Sequence, residues 1–250
     1  MTQQAVQTGN FADKLLNLLD RIEYRRVETG EDMEDVARLR YKAYKVNNLI
    51  KLSGSMLMDD IDFDKNAYVF GIYVEEQLVS TIRIHHVTPE HRVSLSGKIF
   101  PDTINAFLDA GMTLIDPVRL AADPDVVNQL PGIQYLTLRI GTMASDYFGA
   151  DRVLQSVDAS HAAFYRRMFL SEVVVEPLEK NENYNVNLTL LATQVKTVLP
   201  KLYERYPALK SEAFERRAMF DRHYARQMAS LTILPTARYA ARSEIRLAAA

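Results

Sequence analysis

Residues 136–169, LTLRIGTMASDYFGADRVLQSVDASHAAFYRRMF, decide the fold expected for this chain. A helical spacing of apolar residues covers residues 131–147, and Gly149 is a typical helix stop. Residues 152–157 form an apolar run that predicts a buried strand, and residues 160–169 predict a second helix. Helix, strand and helix in this order predict a mixed α/β domain.

The segments before this stretch predict antiparallel strands and covering helices. Residues 67–74 and 78–87 are two apolar, β-branched runs separated by a short polar turn, which predicts a hairpin. A strand at residues 113–120 contains Pro117, which cannot donate a ladder hydrogen bond, so we expect a bulge or an edge there. The other predicted elements are helices at residues 10–22, 31–46, 97–110 and from 194 onward, and strands at residues 23–29, 173–177 and 185–192.

The composition is that of an ordinary globular protein of 250 residues, with 48% hydrophobic and 25% charged residues. A formal net charge of -2 argues against nucleic-acid binding by bulk electrostatics. The absence of cysteine excludes disulfides, a thiolate nucleophile and a covalent enzyme thioester. No secretory leader pattern and no apolar run of membrane-spanning length occurs, so we expect a soluble, cytoplasmic protein without a transmembrane segment.

Charge is unevenly distributed along the chain. Residues 196–250 hold eleven Lys or Arg against five Asp or Glu. We therefore predict a main domain over residues 1–195, which includes an N-terminal amphipathic helix, and a basic helical extension over residues 196–250. The extension is interpreted either as a solvated helix face or as a surface for an acidic protein, a phosphate or anionic lipid, which includes peripheral membrane contact.

Several common catalytic and binding motifs are absent. No G-x-G-x-x-G or G-x-x-x-x-G-K-[ST] occurs, which argues against dinucleotide and P-loop sites. The five histidines do not form a zinc-binding spacing. The acidic run at residues 59–66 lacks the Gly and the final Glu of a calcium loop when counted from Asp60. We therefore predict no metal site.

Four motifs add to the order of the elements: VARLRYKAY at residues 36–44, DDIDFD at 59–64, LVSTIRI at 78–84 and IDPVRLAAD at 115–123. With these motifs the chain resembles the Gcn5-related N-acyltransferase superfamily over about residues 24–180. More narrowly, it is similar to the N-acyl amino acid synthases and to the acyl-homoserine-lactone autoinducer synthases. The resemblance implies an α/β fold in which a mixed sheet is flanked by helices in three αβα layers.

In the autoinducer synthases these motifs form a polar network at the substrate face. The positions that match this network are Arg40, Tyr44, Asp62 or Asp64, Arg83, Asp116 and Arg119. Asp116 stands where the family usually has Glu, whereas Arg119 keeps the family spacing. The chain contains no Trp, although autoinducer synthases typically carry one downstream, and this favours the N-acyl amino acid branch.

The resemblance also implies a reaction. The amine of an amino acid attacks a thioester carbonyl directly, and backbone N–H groups near Val118 to Leu120 hold the oxyanion. Tyr165 either protonates the leaving thiolate or packs in the core. The candidates for the base that deprotonates the ammonium are Asp116, Glu75, His85 or an ordered water chain.

Arg40, Arg83 and Arg119 have two interpretations in this reaction. They bind the substrate carboxylate, or they pair with the aspartates of the network, and we expect one of the three to contact substrate. A long acyl chain also needs an apolar tunnel. The residues that either line it or belong to the core are Met112, Tyr135, Met143, Phe148, Phe164 and Met168.

The implied acyl donor is the phosphopantetheine thioester of acyl carrier protein, with no permanently bound cofactor. The superfamily's pyrophosphate loop is missing, since only one glycine lies between Asn128 and Gly132, so acyl carrier protein is favoured over acyl-coenzyme A (acyl-CoA). An acidic carrier would dock on the basic extension or on arginines of the main domain. Those arginines are Arg139, Arg152, Arg166 and Arg167.

We therefore predict an N-acyltransferase that makes an N-acyl amino acid from an acyl carrier protein thioester and a free amino acid. The enzymatic alternatives are an acyl-homoserine-lactone synthase and an ornithine acyltransferase of lipid synthesis. The non-enzymatic alternative is a protein of this fold that binds an acyl ligand or a partner without turnover.

Overall fold

The computed structural model describes residues 11–51, 53–178, 184–223 and 232–240. The helices are α1 (Phe11–Leu19), α2 (Gly30–Val46), α3 (Leu95–Ile99), α4 (Pro101–Asp109), α5 (Ile133–Phe148), α6 (Ala162–Met168), α7 (Val195–Arg205) and α8 (Ala213–Phe220). The strands are β1 (Ile22–Arg26), β2 (Ala67–Val74), β3 (Gln77–Val87), β4 (Leu114–Ala122), β5 (Arg152–Asp158), β6 (Glu172–Val175), β7 (Leu188–Gln194) and β8 (Thr232–Ile233).

The strands of the described residues form one sheet in the order β6-β7-β5-β4-β3-β2-β1-β8. All neighbouring pairs are antiparallel except β4 and β5, which are parallel. The main hydrophobic core joins α1, α5, α7 and α8 to one face, whereas α2, α3 and α4 cover the other. The predicted mixed α/β fold is confirmed. None of the helices described for this chain has the length and apolar character needed to cross a bilayer.

Two predicted helices differ from the structure in ways that proline and capping explain. The predicted helix at residues 97–110 is two helices, α3 and α4, because Pro101 lacks an N–H and begins the second helix at its first turn. The predicted helix at residues 160–169 begins earlier, as a short 3₁₀ turn. Its cap is the Asp158 side chain, which accepts a hydrogen bond from the N–H of Ser160 at 2.9 Å.

The segment after residue 195 shares the core of the residues before it. Leu199, Leu202, Met219 and Phe220 are buried in the same cluster as α1 and α5. The basic extension that we predicted therefore packs on the main domain as far as it is described. Residues 224–231 and 241–250 of that extension lie outside the described residues.

A buried ion pair joins this segment to α5. Arg139 donates to both carboxylate oxygens of Glu215, at 2.6 and 2.9 Å, and both side chains are fully buried. The second Glu215 oxygen also accepts from the backbone N–H of Thr236 at 3.1 Å, and the Arg139 guanidinium donates to the carbonyl of Lys210. Removing one partner of such a pair leaves an uncompensated buried charge.

Replacing Glu215 with Ala should lower the free energy of unfolding by about 3–5 kcal/mol, because Arg139 would stay buried without its counter-ion. Urea unfolding monitored by circular dichroism measures this loss. Glu34→Ala is the matched control, since it breaks the exposed ion pair between Glu34 and Arg38 on α2. A loss of the same size in both variants would contradict the role of the buried pair.

Candidate active site

A cleft opens where β4 and β5 diverge. The two strands share only two residue pairs, Leu114 with Arg152 and Ile115 with Val153. Pro117 follows two residues later on β4 and has no N–H with which to continue a ladder. The resulting cleft has a volume of about 760 Å³. It reaches both faces of the sheet, with α2 and α3 on one side and α5, α6 and α7 on the other.

A β-bulge in β4 forms one wall of this cleft. Arg119 and Leu120 together stand opposite Ile82 of β3, and Arg119 has a left-handed backbone with φ of 55°. A non-glycine residue in this conformation is strained by roughly 1–2 kcal/mol. Pro117 itself stays paired with Ile84, so the bulge lies two residues later than the sequence suggested. A bulge leaves backbone groups of the strand unpaired, and such N–H groups are able to bind a ligand.

Three arginines of the predicted network converge on two aspartates. Arg40 Nη1 donates to Asp62 Oδ1 at 2.8 Å, and Arg83 Nη1 lies 2.8 Å from the same oxygen. Arg83 Nη1 also donates to Asp59 Oδ1 at 2.7 Å, and Arg119 Nη2 donates to Asp59 Oδ2 at 2.6 Å. Helix α2, the acidic loop, β3 and β4 are therefore joined by one chain of ion pairs.

The acidic loop is fixed by its own hydrogen bonds. Asp62 Oδ2 accepts from the N–H of Asp59, and the N–H of Asp62 donates to the carbonyl of Asp59, both at 2.9 Å. Asp64, the alternative to Asp62, points elsewhere: its Oδ1 lies 2.8 Å from His91 Nε2 and accepts from the N–H of Asn66. Sequence reasoning missed Asp59, although it belongs to the same DDIDFD run.

The electrostatics of the network favour an anion at Arg119. Burial alone would raise the pKa of Asp59, but hydrogen bonds and charge from Arg83 and Arg119 outweigh it and lower the pKa to about 2. Burial lowers the pKa of Arg40. Three guanidinium groups thus face two carboxylates. Arg119 lines the cleft, and its Nε has no hydrogen-bond partner among the described residues.

Asp116 lies outside this chain of ion pairs and supports α3. Its Oδ2 accepts from the N–H of Ser96 at 3.0 Å, and its Oδ1 accepts from the Ser96 hydroxyl at 2.6 Å. Burial raises its pKa. Asp116 is not among the described residues that line the cleft, whereas α3 supplies Leu95 and Ile99 to it. The geometry therefore gives Asp116 the role of positioning α3.

The other candidate bases are not in contact with the cleft within the described part of the chain. Burial, followed by the positive charge of Arg83, lowers the pKa of His85 to about 3, so the imidazole is neutral at neutral pH. Glu75 is exposed in the turn between β2 and β3, where it pairs with Arg21 at 2.9 Å.

Among the described residues, three tyrosines line the cleft: Tyr44, Tyr165 and Tyr184. Burial raises the pKa of Tyr44, and burial together with the nearby Tyr44 raises the pKa of Tyr165 to about 12. Both hydroxyls are therefore protonated at neutral pH and can donate a hydrogen bond. The Tyr184 hydroxyl lies 3.5 Å from Arg119 Nη1. Tyr184 was not predicted, because no sequence motif links it to β4.

Val118 and Leu120 line the cleft as expected of the bulge, but its apolar wall is made by residues we did not predict. None of the predicted tunnel residues is among the described residues that line the cleft, and all of them pack in or against the two large hydrophobic clusters. Apolar and polar residues of the cleft that sequence reasoning missed are Leu138, Gln155, Asp158, His161, Phe169, Leu199 and Leu202. They come from several elements, so no single pattern in the sequence marks them.

Of the arginines proposed to dock a carrier, Arg166 and Arg167 are exposed on α6, next to the cleft residues His161 and Tyr165. Arg152 stacks over the ring of Phe107. Arg139 is fully buried and paired, so it cannot form a docking surface.

Comparisons with known proteins agree with this geometry. A family model described as N-acyl amino acid synthase FeeM matches residues 35–194. The structure of FeeM, an N-acyl amino acid synthase from uncultured soil microbes, is 16% identical with a TM-score of 0.59, and the match covers 70% of this chain and 92% of that one. A search of curated proteins found no match.

Autoinducer synthases share the fold at lower similarity. The acyl-homoserine-lactone synthase LasI is 13% identical with a TM-score of 0.53, covering 80% of this chain and 94% of its own. The coenzyme A-dependent acyl-homoserine-lactone synthase BjaI is 12% identical with a TM-score of 0.53, covering 74% and 89%. The fold and the cleft thus define an acyltransferase of the Gcn5-related type that transfers an acyl group to an amine. Within this class, the chain belongs to the N-acyl amino acid synthase FeeM family.

The lowered pKa of Asp59 gives a prediction on stability. A carboxylate whose pKa is lower in the folded state stabilises the protein above its unfolded pKa, near 4, and loses this contribution as the pH falls towards 2. The wild type should therefore be more stable than Asp59→Asn by about 1–2 kcal/mol at pH 7, and this difference should shrink at pH 3. Urea unfolding at pH 7, 4.5 and 3 measures it.

Asp109→Asn, which removes an exposed carboxylate on α4, controls for general effects of acid. If the wild type and Asp59→Asn differed by the same amount at all three pH values, Asp59 would not be held ionised by the arginines.

Proposed function

We propose that this enzyme transfers a fatty acyl group from the thioester of acyl carrier protein to the amine of an amino acid, giving an N-acyl amino acid. The observation that carries the proposal is the form of the cleft. Its chamber on one face of the sheet is mostly apolar, with Leu138, Leu199 and Leu202 in its wall, and its other side ends at Arg119. An acyl chain fits the first region and an anionic acceptor fits the second.

The acceptor carboxylate binds Arg119. Arg119 Nη2 is committed to Asp59, whereas its Nε has no partner among the described residues. A carboxylate at this edge would satisfy a buried donor and balance the positive charge of the network. Of the three network arginines, Arg119 is the one described as lining the cleft, which supports the expectation that one arginine contacts substrate.

The chemistry needs no covalent enzyme intermediate, which suits a chain without cysteine. The amine nitrogen forms a bond to the thioester carbon, the oxyanion accepts hydrogen bonds from the bulge near Val118 to Leu120, and the carbon–sulfur bond then breaks. Tyr165, protonated because its pKa is raised to about 12, donates its proton to the departing thiolate. It regains a proton from the amine nitrogen, which carries one proton more than the amide product after the attack. The ammonium proton leaves through solvent at the cleft mouth, near Asp158 and His161.

Acyl carrier protein is the proposed donor for two reasons. Arg166 and Arg167 present positive charge beside the cleft mouth, which complements an acidic carrier. The single glycine of the loop before α5, Gly132, is covered: a Cβ there would lie 2.6 Å from Leu15 Cδ2. This glycine also has a left-handed backbone with φ of 102°, and the loop has no second glycine that would let the backbone approach the phosphates of coenzyme A.

Mass spectrometry of lipid extracts from a bacterial host that expresses the protein tests the function. A new series of N-acyl amino acids should appear, and it should be absent with the empty vector and strongly reduced with Arg119→Ala. Purified enzyme given acyl carrier protein thioesters or acyl-coenzyme A thioesters then identifies the donor. Accumulation of an acyl-homoserine lactone or an ornithine lipid, or no turnover on any amine, would contradict the proposal.

Arg119→Lys tests the site of the carboxylate. Lysine keeps the positive charge opposite Asp59 but lacks the second N–H edge, so kcat/KM for the amino acid should fall about 10–100-fold. The decarboxylated amine of the same amino acid should be a poor substrate for the wild type and should lose little further activity in the variant. An equal loss for both acceptors would show that Arg119 does not recognise the carboxylate.

A further inference from the structure

Gln155 is a residue of the cleft wall that carries a buried acceptor without a partner. It lies on β5, is among the residues that line the cleft, and is only 5% exposed. Its Oε1 has no hydrogen-bond partner among the described residues. A buried acceptor without a hydrogen bond is destabilising, so a ligand that donates a hydrogen bond to Oε1 would bind more favourably.

The orientation of this amide is fixed by its neighbours. Gln155 Nε2 donates to the carbonyl of Val153 at 3.2 Å and to Thr193 Oγ1 at 3.0 Å. Thr193 Oγ1 lies 2.8 Å from the Ser171 hydroxyl, which donates to the carbonyl of Tyr165 at 3.3 Å. The carbonyls of Val153 and Tyr165 at the two ends of this chain can only accept hydrogen bonds. Ser171 donates its one proton to Tyr165 and therefore accepts from Thr193, and Thr193 in turn accepts from Gln155 Nε2. A flipped amide would place two acceptors face to face, and Oε1 is therefore the atom left for a ligand.

The position of Gln155 along the cleft determines which part of a bound ligand lies next to it. It lies two residues beyond Val153, at the level of Pro117 on the parallel strand β4, near the closed end of the cleft. The backbone of Val118 to Leu120 is one to three residues nearer the mouth, or roughly 3–10 Å. A chain that extends from a thioester carbonyl at the bulge towards the closed end passes Gln155 within its first few carbons.

The rest of this wall is mostly apolar. Leu138, Leu199 and Leu202 line the same side, and the hydroxyl of Thr142 donates to the carbonyl of Arg139 at 2.8 Å. An unsubstituted acyl chain would leave Gln155 Oε1 without a donor. A hydroxyl on the chain would supply one.

We propose that Gln155 is a specificity residue that accepts a hydrogen bond from a hydroxyl close to the thioester end of the acyl chain, so that the enzyme prefers 3-hydroxyacyl donors. This inference rests on the proposed fatty acyl donor. The other N–H and O–H donors of an acyl thioester are the two amides and the hydroxyl of its pantetheine arm, which every thioester shares irrespective of its acyl group.

Internal competition tests the preference. The purified full chain receives equal amounts of a 3-hydroxyacyl and a plain acyl thioester of acyl carrier protein, with chains of equal length, and a mixture of the proteinogenic amino acids. The ratio of the two products by mass spectrometry reports the ratio of kcat/KM values. The wild type should favour the hydroxylated donor roughly tenfold or more.

Two variants assign the preference to Gln155. Gln155→Met has similar length without an acceptor and should bring the ratio close to one, mainly by losing activity on the hydroxylated donor. Thr142→Val removes a hydroxyl from the same wall that is already paired, and should keep the ratio of the wild type. If Gln155→Met does not fold, Gln155→Leu takes its place, and a wild-type ratio near one overturns the inference irrespective of either variant.

Equal use of both donors by the wild type would overturn the inference and leave the proposed function intact. The same holds if Gln155→Met lowers both activities equally, which would assign Gln155 to the pantetheine arm. If the wild type acylates no amino acid from either thioester, the proposed function fails and this inference fails with it.

Discussion

The ion pair between Arg119 and Asp59 supports the rest of the site. Arg119 adopts a strained left-handed backbone at the bulge of β4, and such a residue persists only where its surroundings fix it. Its guanidinium is held by Asp59, and the loop that carries Asp59 is held by Asp62. Asp62 is in turn bound by Arg40 from α2 and lies beside Arg83 from β3. Each buried charge depends on the next, so the bulge is maintained by the whole chain of pairs.

The bulge also divides the cleft chemically. In β4 the consecutive residues Arg119 and Leu120 serve opposite faces of the sheet: Arg119 joins the ion pairs beneath α2, whereas Leu120 packs against the main core under α5. A polar region and an apolar region of the cleft therefore meet at one point of the backbone. In the proposed reaction, the amine and the acyl carbonyl occupy these two regions and meet at the bulge.

Hydrophobic periodicity predicted the order of the elements, because it is a local property of the sequence. Arg40, Arg83 and Arg119 lie on three different elements and were identified through the family resemblance, and the structure brings their guanidinium groups together. The sequence could not choose among the aspartates of the DDIDFD run, since that choice depends on the turn the loop adopts. The sequence also could not distinguish residues that line the cleft from residues that belong only to the hydrophobic core. Met143 and Leu199 are equally apolar in the sequence and both belong to the main hydrophobic core, and only packing shows that Leu199 also lines the cleft.

The family match ends at residue 194, and residues that line the cleft lie on both sides of this boundary. The bulge and the ion pairs lie inside the match, whereas Leu199 and Leu202 of the apolar wall lie on α7, outside it. Glu215 of α8 also lies outside the family match, and its ion pair with Arg139 holds α8 against α5, which contributes Leu138 to the cleft. The ion pairs and the bulge therefore lie in the part of the chain that the family model matches, whereas the apolar wall is completed by α7, which follows that part. For the proposed acyl donor, substitutions in α7 and α8 would reshape the apolar wall without breaking the ion pairs of Arg40 and Arg119, because the two regions have no ion pair in common within the described residues.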